Sequence, residues 1–150
     1  MTYLPDLEPW GDPQLLAVGW LEPSQPYETG PVPEALLGKL VELFIDPWQP
    51  WVTGGWHACG LCEGNKAPRS FEYHGRSIRM GSTNLYVPGD GVVYVAPSLI
   101  LHYIESHRYA PPAVFRSAVQ ACPRSGGPTY KRALRSNGSA VLGKLLGDDA

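Results

Sequence analysis

Asn84-Leu85-Tyr86-Val87-Pro88-Gly89-Asp90-Gly91-Val92-Val93-Tyr94-Val95 runs straight into Ala96-Pro97-Ser98-Leu99-Ile100-Leu101-His102-Tyr103-Ile104. The first block holds two short apolar, β-branched and aromatic runs around Pro-Gly-Asp-Gly, which predicts a β-hairpin. In the second block Pro97-Ser98 opens a helix over 98–108, with Ser98 as its cap or first-turn residue. Leu99, Ile100, Tyr103 and Ile104 recur at helical spacing and form its apolar face. A hairpin delivering the chain into an amphipathic helix is an α+β signature.

Working outward, Ser77-Ile78-Arg79-Met80 and the residues from Phe71 continue the strand pattern, and Leu15 to Leu21 is read as a buried strand. A helix over 33–46 begins at Pro33 and carries Leu36, Leu37, Leu40, Val41 and Phe44 inward until Pro47 stops it. Pro111-Pro112 breaks the chain before a third helix over 112–121, with Val114, Phe115, Ala118 and Val119 on its apolar face. The first fourteen residues read as an extended surface arm, Pro23 to Pro31 as a loop, and 47–56 as a Trp- and Gly-rich connection. The expected architecture is therefore a small antiparallel sheet with a β-hairpin and about three helices, forming one domain over 1–122. From Pro123 the composition turns to Ser, Gly, Lys and Arg, so 123–150 is expected to be a flexible basic tail with one short helix near Ala140 to Leu146.

Composition narrows the function classes. Hydrophobic residues at 43% and five tryptophans suffice for a core without a disulfide framework. No run of 18 apolar residues exists, which argues against a membrane-spanning helix. Met1 to Asp6 has neither a basic region nor an apolar stretch, so a reducing cytoplasmic setting is expected. Residues 1–50, 51–122 and 123–150 carry net charges of −7, +2 and +3. That distribution lacks the strong basic stripe of a nucleic-acid binder.

The chemistry concentrates in Trp56-His57-Ala58-Cys59-Gly60-Leu61-Cys62-Glu63-Gly64. Two cysteines separated by two residues can place both sulfurs on one ion when the chain turns tightly between them, and Gly60 eases that turn. Forty residues after Cys62 comes His102, and His107 follows with four residues between, within the spacing used by Cys2His2 sites. A CxxC turn, a hairpin and a helix in that order match the layout of treble-clef and related zinc folds. The leading ligand set is Cys59, Cys62, His102 and His107, with His57 as a fifth candidate that either ligates or donates from the outer shell. On an ideal helix His102 and His107 stand about 140° apart, so they converge only where the helix loosens near its end. Mixed thiolate and imidazole ligands favour one Zn2+ per chain, whereas an iron–sulfur cluster wants four cysteines and the chain has three. The competing readings are two ordinary buried thiols, or a redox pair, which normally sits in a thioredoxin-like frame not visible here. Cys122 beside Pro123 reads as a buried thiol, and His74 before Gly75 as a turn residue.

With these residues in view, the chain resembles an uncharacterised family of small bacterial proteins. The shared blocks are Tyr3-Leu4-Pro5-Asp6-Leu7-Glu8-Pro9-Trp10, Val18-Gly19-Trp20-Leu21, Gly55-Trp56-His57-x-Cys59-x-x-Cys62, and Gly91 through Ile104 continuing to His107-x-Tyr109-x-Pro111-Pro112-x-x-Phe115. The resemblance covers about residues 3–116 and implies the domain and its site without supplying an activity.

Three functional readings remain open at this point. A closed structural zinc site would belong to a binding or regulatory module with a protein partner, contacted through aromatic groups such as Trp48, Trp51 and Tyr109. Three ligands and an open metal position would instead make a zinc hydrolase, with Glu63 or Glu105 as general base. The zinc deaminase pattern is disfavoured, because Cys59 stands where that pattern wants a glutamate. Small size and an acidic first half suggest the third reading, an immunity or antitoxin-type interaction protein.

Overall fold

A computed structural model of the chain describes residues 3–50, 56–64 and 66–147. Met1, Trp51 and Gly55, named above, lie outside the described residues. The fold is α+β. Strands β1 (Pro9–Asp12), β2 (Leu15–Ala17), β5 (Asn84–Pro88) and β6 (Val93–Pro97) form a sheet in the order β1-β2-β6-β5, and β3 (Ser70–Tyr73) pairs with β4 (Arg76–Arg79) in a separate hairpin. Helices α1 (Glu34–Phe44), α2 (Ile100–His107), α3 (Ala113–Ala121), α4 (Pro128–Asn137) and α5 (Ala140–Leu146) complete it.

The β5–β6 hairpin forms where the sequence places it, with Tyr86 opposite Val95 and Gly89 N–H returning to the Val92 carbonyl at 2.8 Å. Every residue of β6 is buried. That explains its unbroken apolar run: a strand covered on both faces has no solvent side on which to alternate. The sheet is mixed instead of purely antiparallel, because β2 runs parallel to β6 with Leu15, Leu16 and Ala17 beside Val93, Tyr94 and Val95. Beyond β2, Val18 N–H bonds the Val95 carbonyl at 3.0 Å and the Trp20 indole N–H reaches the same oxygen at 2.8 Å. Gly19 follows in the left-handed region, φ +82°, and a Cβ there would press on the Ile100 side chain at 3.1 Å. The absent side chain lets α2 seat its first turn against β2.

Helix α1 buries Leu36, Leu37, Leu40, Val41, Leu43 and Phe44, as its spacing predicts, and α3 buries Phe115 and Val119, whereas Val114, expected on the same face, is 52% exposed. Three expectations need correction. The segment after Pro123 carries two helices, whose Tyr130, Leu134, Leu142 and Leu146 are buried in the common core. Tyr130 also donates its hydroxyl to the Tyr86 carbonyl at 2.5 Å. Ser98 does not cap α2; its hydroxyl accepts from Gly81 N–H at 2.9 Å. Tyr109 is no surface contact, for it is fully buried and hydrogen-bonds both Asp6 carboxylate oxygens at 2.8 Å. Burial holds the Asp6 carboxyl above the usual carboxylate range, while Gly19 N–H and that tyrosine pull the other way.

Candidate metal centre

Two segments far apart in sequence meet at the C-terminal turn of α2. On the helix side, His102 is buried between apolar neighbours and His107 is the last helical residue. Arg108 then turns left-handed, φ +57°, and its N–H bonds the Tyr103 carbonyl, five residues back, instead of the usual four. Tyr109 N–H reaches the same carbonyl at 3.1 Å. This widened turn is what brings two histidines five residues apart onto one side, against the divergence of an ideal helix. The ring centroids lie 4.9 Å apart and the two Nε2 atoms face each other at 3.2 Å.

On the loop side, the Trp56 indole N–H bonds the Met80 carbonyl at 2.9 Å and His57 N–H bonds the Gly81 carbonyl at 2.8 Å. Gly81, in turn, is tied to Ser98 just before α2, so the start of the loop is laid beside the helix that carries the histidines. Gly81 adopts φ +101°, and a Cβ there would overlap the His57 carbonyl oxygen and the Trp56 indole. The far end of the loop is fixed where Met80 N–H meets the Arg69 carbonyl at 2.8 Å, and the Arg69 guanidinium lies over the Trp56 ring at 4.2 Å. Between these anchors, among the described residues, no backbone hydrogen bond ties 58–68 to any other element; its one recorded bond, Lys66 N–H to the Glu63 carbonyl, is internal.

Cys59 and Cys62 bring their sulfurs to the two imidazoles. Cys62 Sγ lies 3.2 Å from His102 Nε2 and 3.5 Å from His107 Nε2, and Cys59 Sγ lies 3.4 Å from His107 Nε2. All four donor atoms fall within 4.8 Å of one another, so the four residues can hold a metal ion. Four of the six edges are 3.2–3.5 Å, and a regular tetrahedron with edges of that length has its centre about 2.0–2.1 Å from each vertex, the bonding distance of a small metal ion. Pairwise hydrogen bonds alone would not require four donors to surround one point.

Electrostatics agree with this reading on the imidazole side and are in tension on the thiol side. Burial lowers the His102 pKa, with His107 adding to the effect, and burial also lowers that of His107, so both favour the neutral, ligating form. Burial pushes the Cys59 thiol up to about 11, while the backbone N–H groups of Leu61 and Cys62 point at its sulfur and favour the thiolate. A dication at the centre would reverse the balance, since a coordinating thiol is deprotonated outright.

Four of the five ligand candidates thus converge. The fifth, His57, is exposed and outside the group. Glu63 and Glu105 are exposed and likewise outside it. Cys122 is buried elsewhere, its Sγ 3.3 Å from the Pro123 carbonyl, and His74 sits at φ +46° in the β3–β4 turn. Trp48 is half-buried, edge-on to Tyr86 at 5.7 Å. The part missed by sequence reasoning was the Trp56–Met80, His57–Gly81 and Gly81–Ser98 scaffold that aims the CxxC turn. Gly81 carried no motif to mark it.

Among the described residues no helix is long and apolar enough to cross a membrane. No curated protein and no solved structure matches the chain. A family model described as a domain of unknown function, DUF7919, matches residues 2–120, more than half of the chain and all four clustered residues. The chain belongs to that family.

Proposed function

We infer that Cys59, Cys62, His102 and His107 hold one Zn2+ per chain as a structural clamp, and that the protein is a binding module and not an enzyme. The observation that carries this is the gathering of four donor atoms within 4.8 Å of one another; an ion held by all four has no position left for water or substrate. Zinc is the ion favoured by two thiolates with two neutral imidazoles, and its bonds of about 2.0–2.1 Å to nitrogen and about 2.3 Å to sulfur suit edges of this size. When bound, the ion supplies charge that keeps both sulfurs as thiolates, and a tether between α2 and the 58–68 loop. Trp56, 38% exposed under Arg69, lies at the base of the clamped loop and offers a rigid aromatic contact for a protein partner.

Elemental analysis tests the assignment on the native chain and on Cys59→Ser, His57→Ala, His102→Ala and His107→Ala. The expected result is one zinc per chain, lost with Cys59 or either helix histidine and kept without His57. Zinc that survives loss of both helix histidines would move the site toward His57 and revive the hydrolase reading. Protein purified without chelator that contains no metal, and takes up none, would end the proposal.

A further inference from the structure

The clamp is built so that its own sulfurs can undo it. Cys62 is half-buried, whereas Cys59 is 4% exposed. The two sit at the ends of one short turn with their sulfurs within 4.8 Å of each other. A nucleophilic sulfur that solvent can reach, beside a second thiol able to resolve it, is the arrangement found in reversible oxidation sites. Cys122, the third thiol, is buried away from both and has neither property.

We propose that the Cys59–Cys62 pair is a peroxide-sensitive release for the zinc clamp, a regulation that rests on the zinc reading above. Cys62 Sγ attacks one oxygen of hydrogen peroxide. The O–O bond breaks, an S–O bond forms, and the departing hydroxide takes a proton from solvent to leave as water. Cys59 Sγ then attacks Cys62 Sγ; the S–S bond forms, the S–O bond breaks, and a second hydroxide leaves as water after taking another proton. Two thiolates have lost two electrons and one peroxide has gained them. Disulfide sulfur is a poor ligand, so two imidazoles remain to hold the ion and it departs.

The structural consequence is specific. Among the described residues no backbone hydrogen bond ties 58–68 to another element, so breaking the sulfur ligation frees that loop while its ends stay pinned at Gly81 and Arg69. Lys66 lies within the freed segment and is exposed, which makes it the site where trypsin reads the change.

The test uses the zinc-loaded full chain titrated with hydrogen peroxide. Released zinc is followed with a chromophoric chelator, thiol state by peptide mapping, and loop opening by limited trypsin digestion. The expected result is one zinc released per peroxide consumed, a Cys59–Cys62 disulfide, Cys122 still open to alkylation after denaturation, and new cleavage after Lys66. Thiol reductant with added zinc restores resistance. In Cys59→Ser the resolving sulfur is gone, and a sulfenic acid at Cys62 is trapped by dimedone. Cys122→Ser behaves as the native chain. Zinc retained with both thiols reduced overturns the proposal while leaving the zinc site standing. So does oxidation at Cys122 in place of the pair, or a disulfide that leaves Lys66 resistant. A native chain that binds no zinc before peroxide is added fails the earlier reading instead.

Discussion

Removing the ion should open the 58–68 loop and the last turn of α2 while the β5–β6 hairpin stays closed. Ordering the ten described residues of this loop costs about 1 kcal/mol each at the low end of the backbone range, or about 10 kcal/mol. Against this the loop buries Cys59 and parts of Leu61, Cys62 and Ala67, worth about 4 kcal/mol together. The remaining deficit of about 6 kcal/mol falls within reach of a structural zinc ion, at about 10–16 kcal/mol in small zinc domains. Hydrogen exchange read by mass spectrometry, with and without a zinc chelator, measures the effect segment by segment. Without zinc, amides of 58–68 should exchange near their intrinsic rates; at free zinc a hundred times Kd they should slow about a hundredfold. Amides of Val93 to Val95, in a strand paired on both sides, should change far less. Equal exchange of the loop in both states refutes the reasoning, because something other than the ion would then be ordering it. Parallel loss of protection in β6 would refute its local character.

Three further outcomes follow from the geometry. Zinc binding at pH 7 should release at least one proton, from the Cys59 thiol that burial pushes up to about 11. His102 and His107, held below their ordinary value and already neutral, should contribute none. The sign makes affinity rise with pH, and titration calorimetry in two buffers of different ionisation enthalpy counts the protons; fewer than about half a proton refutes it. Gly81→Ala should cost more than about 3 kcal/mol in urea unfolding and weaken zinc retention, since its Cβ would collide with the His57 carbonyl at a positive φ. Unchanged stability and zinc content would show that this crossing does not aim the CxxC turn. Tyr130→Phe removes a buried hydrogen bond to the Tyr86 carbonyl and should cost about 1 kcal/mol, lowering the melting temperature by roughly 2–4 °C. No shift would mean that α4 rests on β5 through apolar contact alone.

What the sequence made legible is what local chemistry decides. Pro88-Gly89-Asp90-Gly91 announces a turn, so the hairpin was readable, and Pro97-Ser98 before an apolar face announces α2. Cys59-x-x-Cys62 and the two histidines were readable as a set, because few other arrangements place those residue types together. The widened last turn of α2 was readable only as a requirement. What was hidden depends on partners distant in sequence. The parallel pairing of β2 with β6 joins residues nearly eighty positions apart, with no turn to signal it. The burial of Tyr109 depends on a carboxylate 103 residues away. Helix α4, Pro-Thr-Tyr-Lys-Arg-Ala-Leu-Arg-Ser-Asn, shows two core-facing residues amid polar ones and looks like tail until β5 is there to receive Tyr130 and Leu134.

That last feature separates two kinds of boundary. The family match covers residues 2–120, yet the core continues through Leu146. A chain cut at the edge of its family would uncover the side of β5 that Tyr130 closes, and would expose apolar side chains no remaining helix is placed to cover. The packed unit is longer than the matched one. Anyone trimming this protein for biophysics should therefore set the knife by Leu146, not by descent.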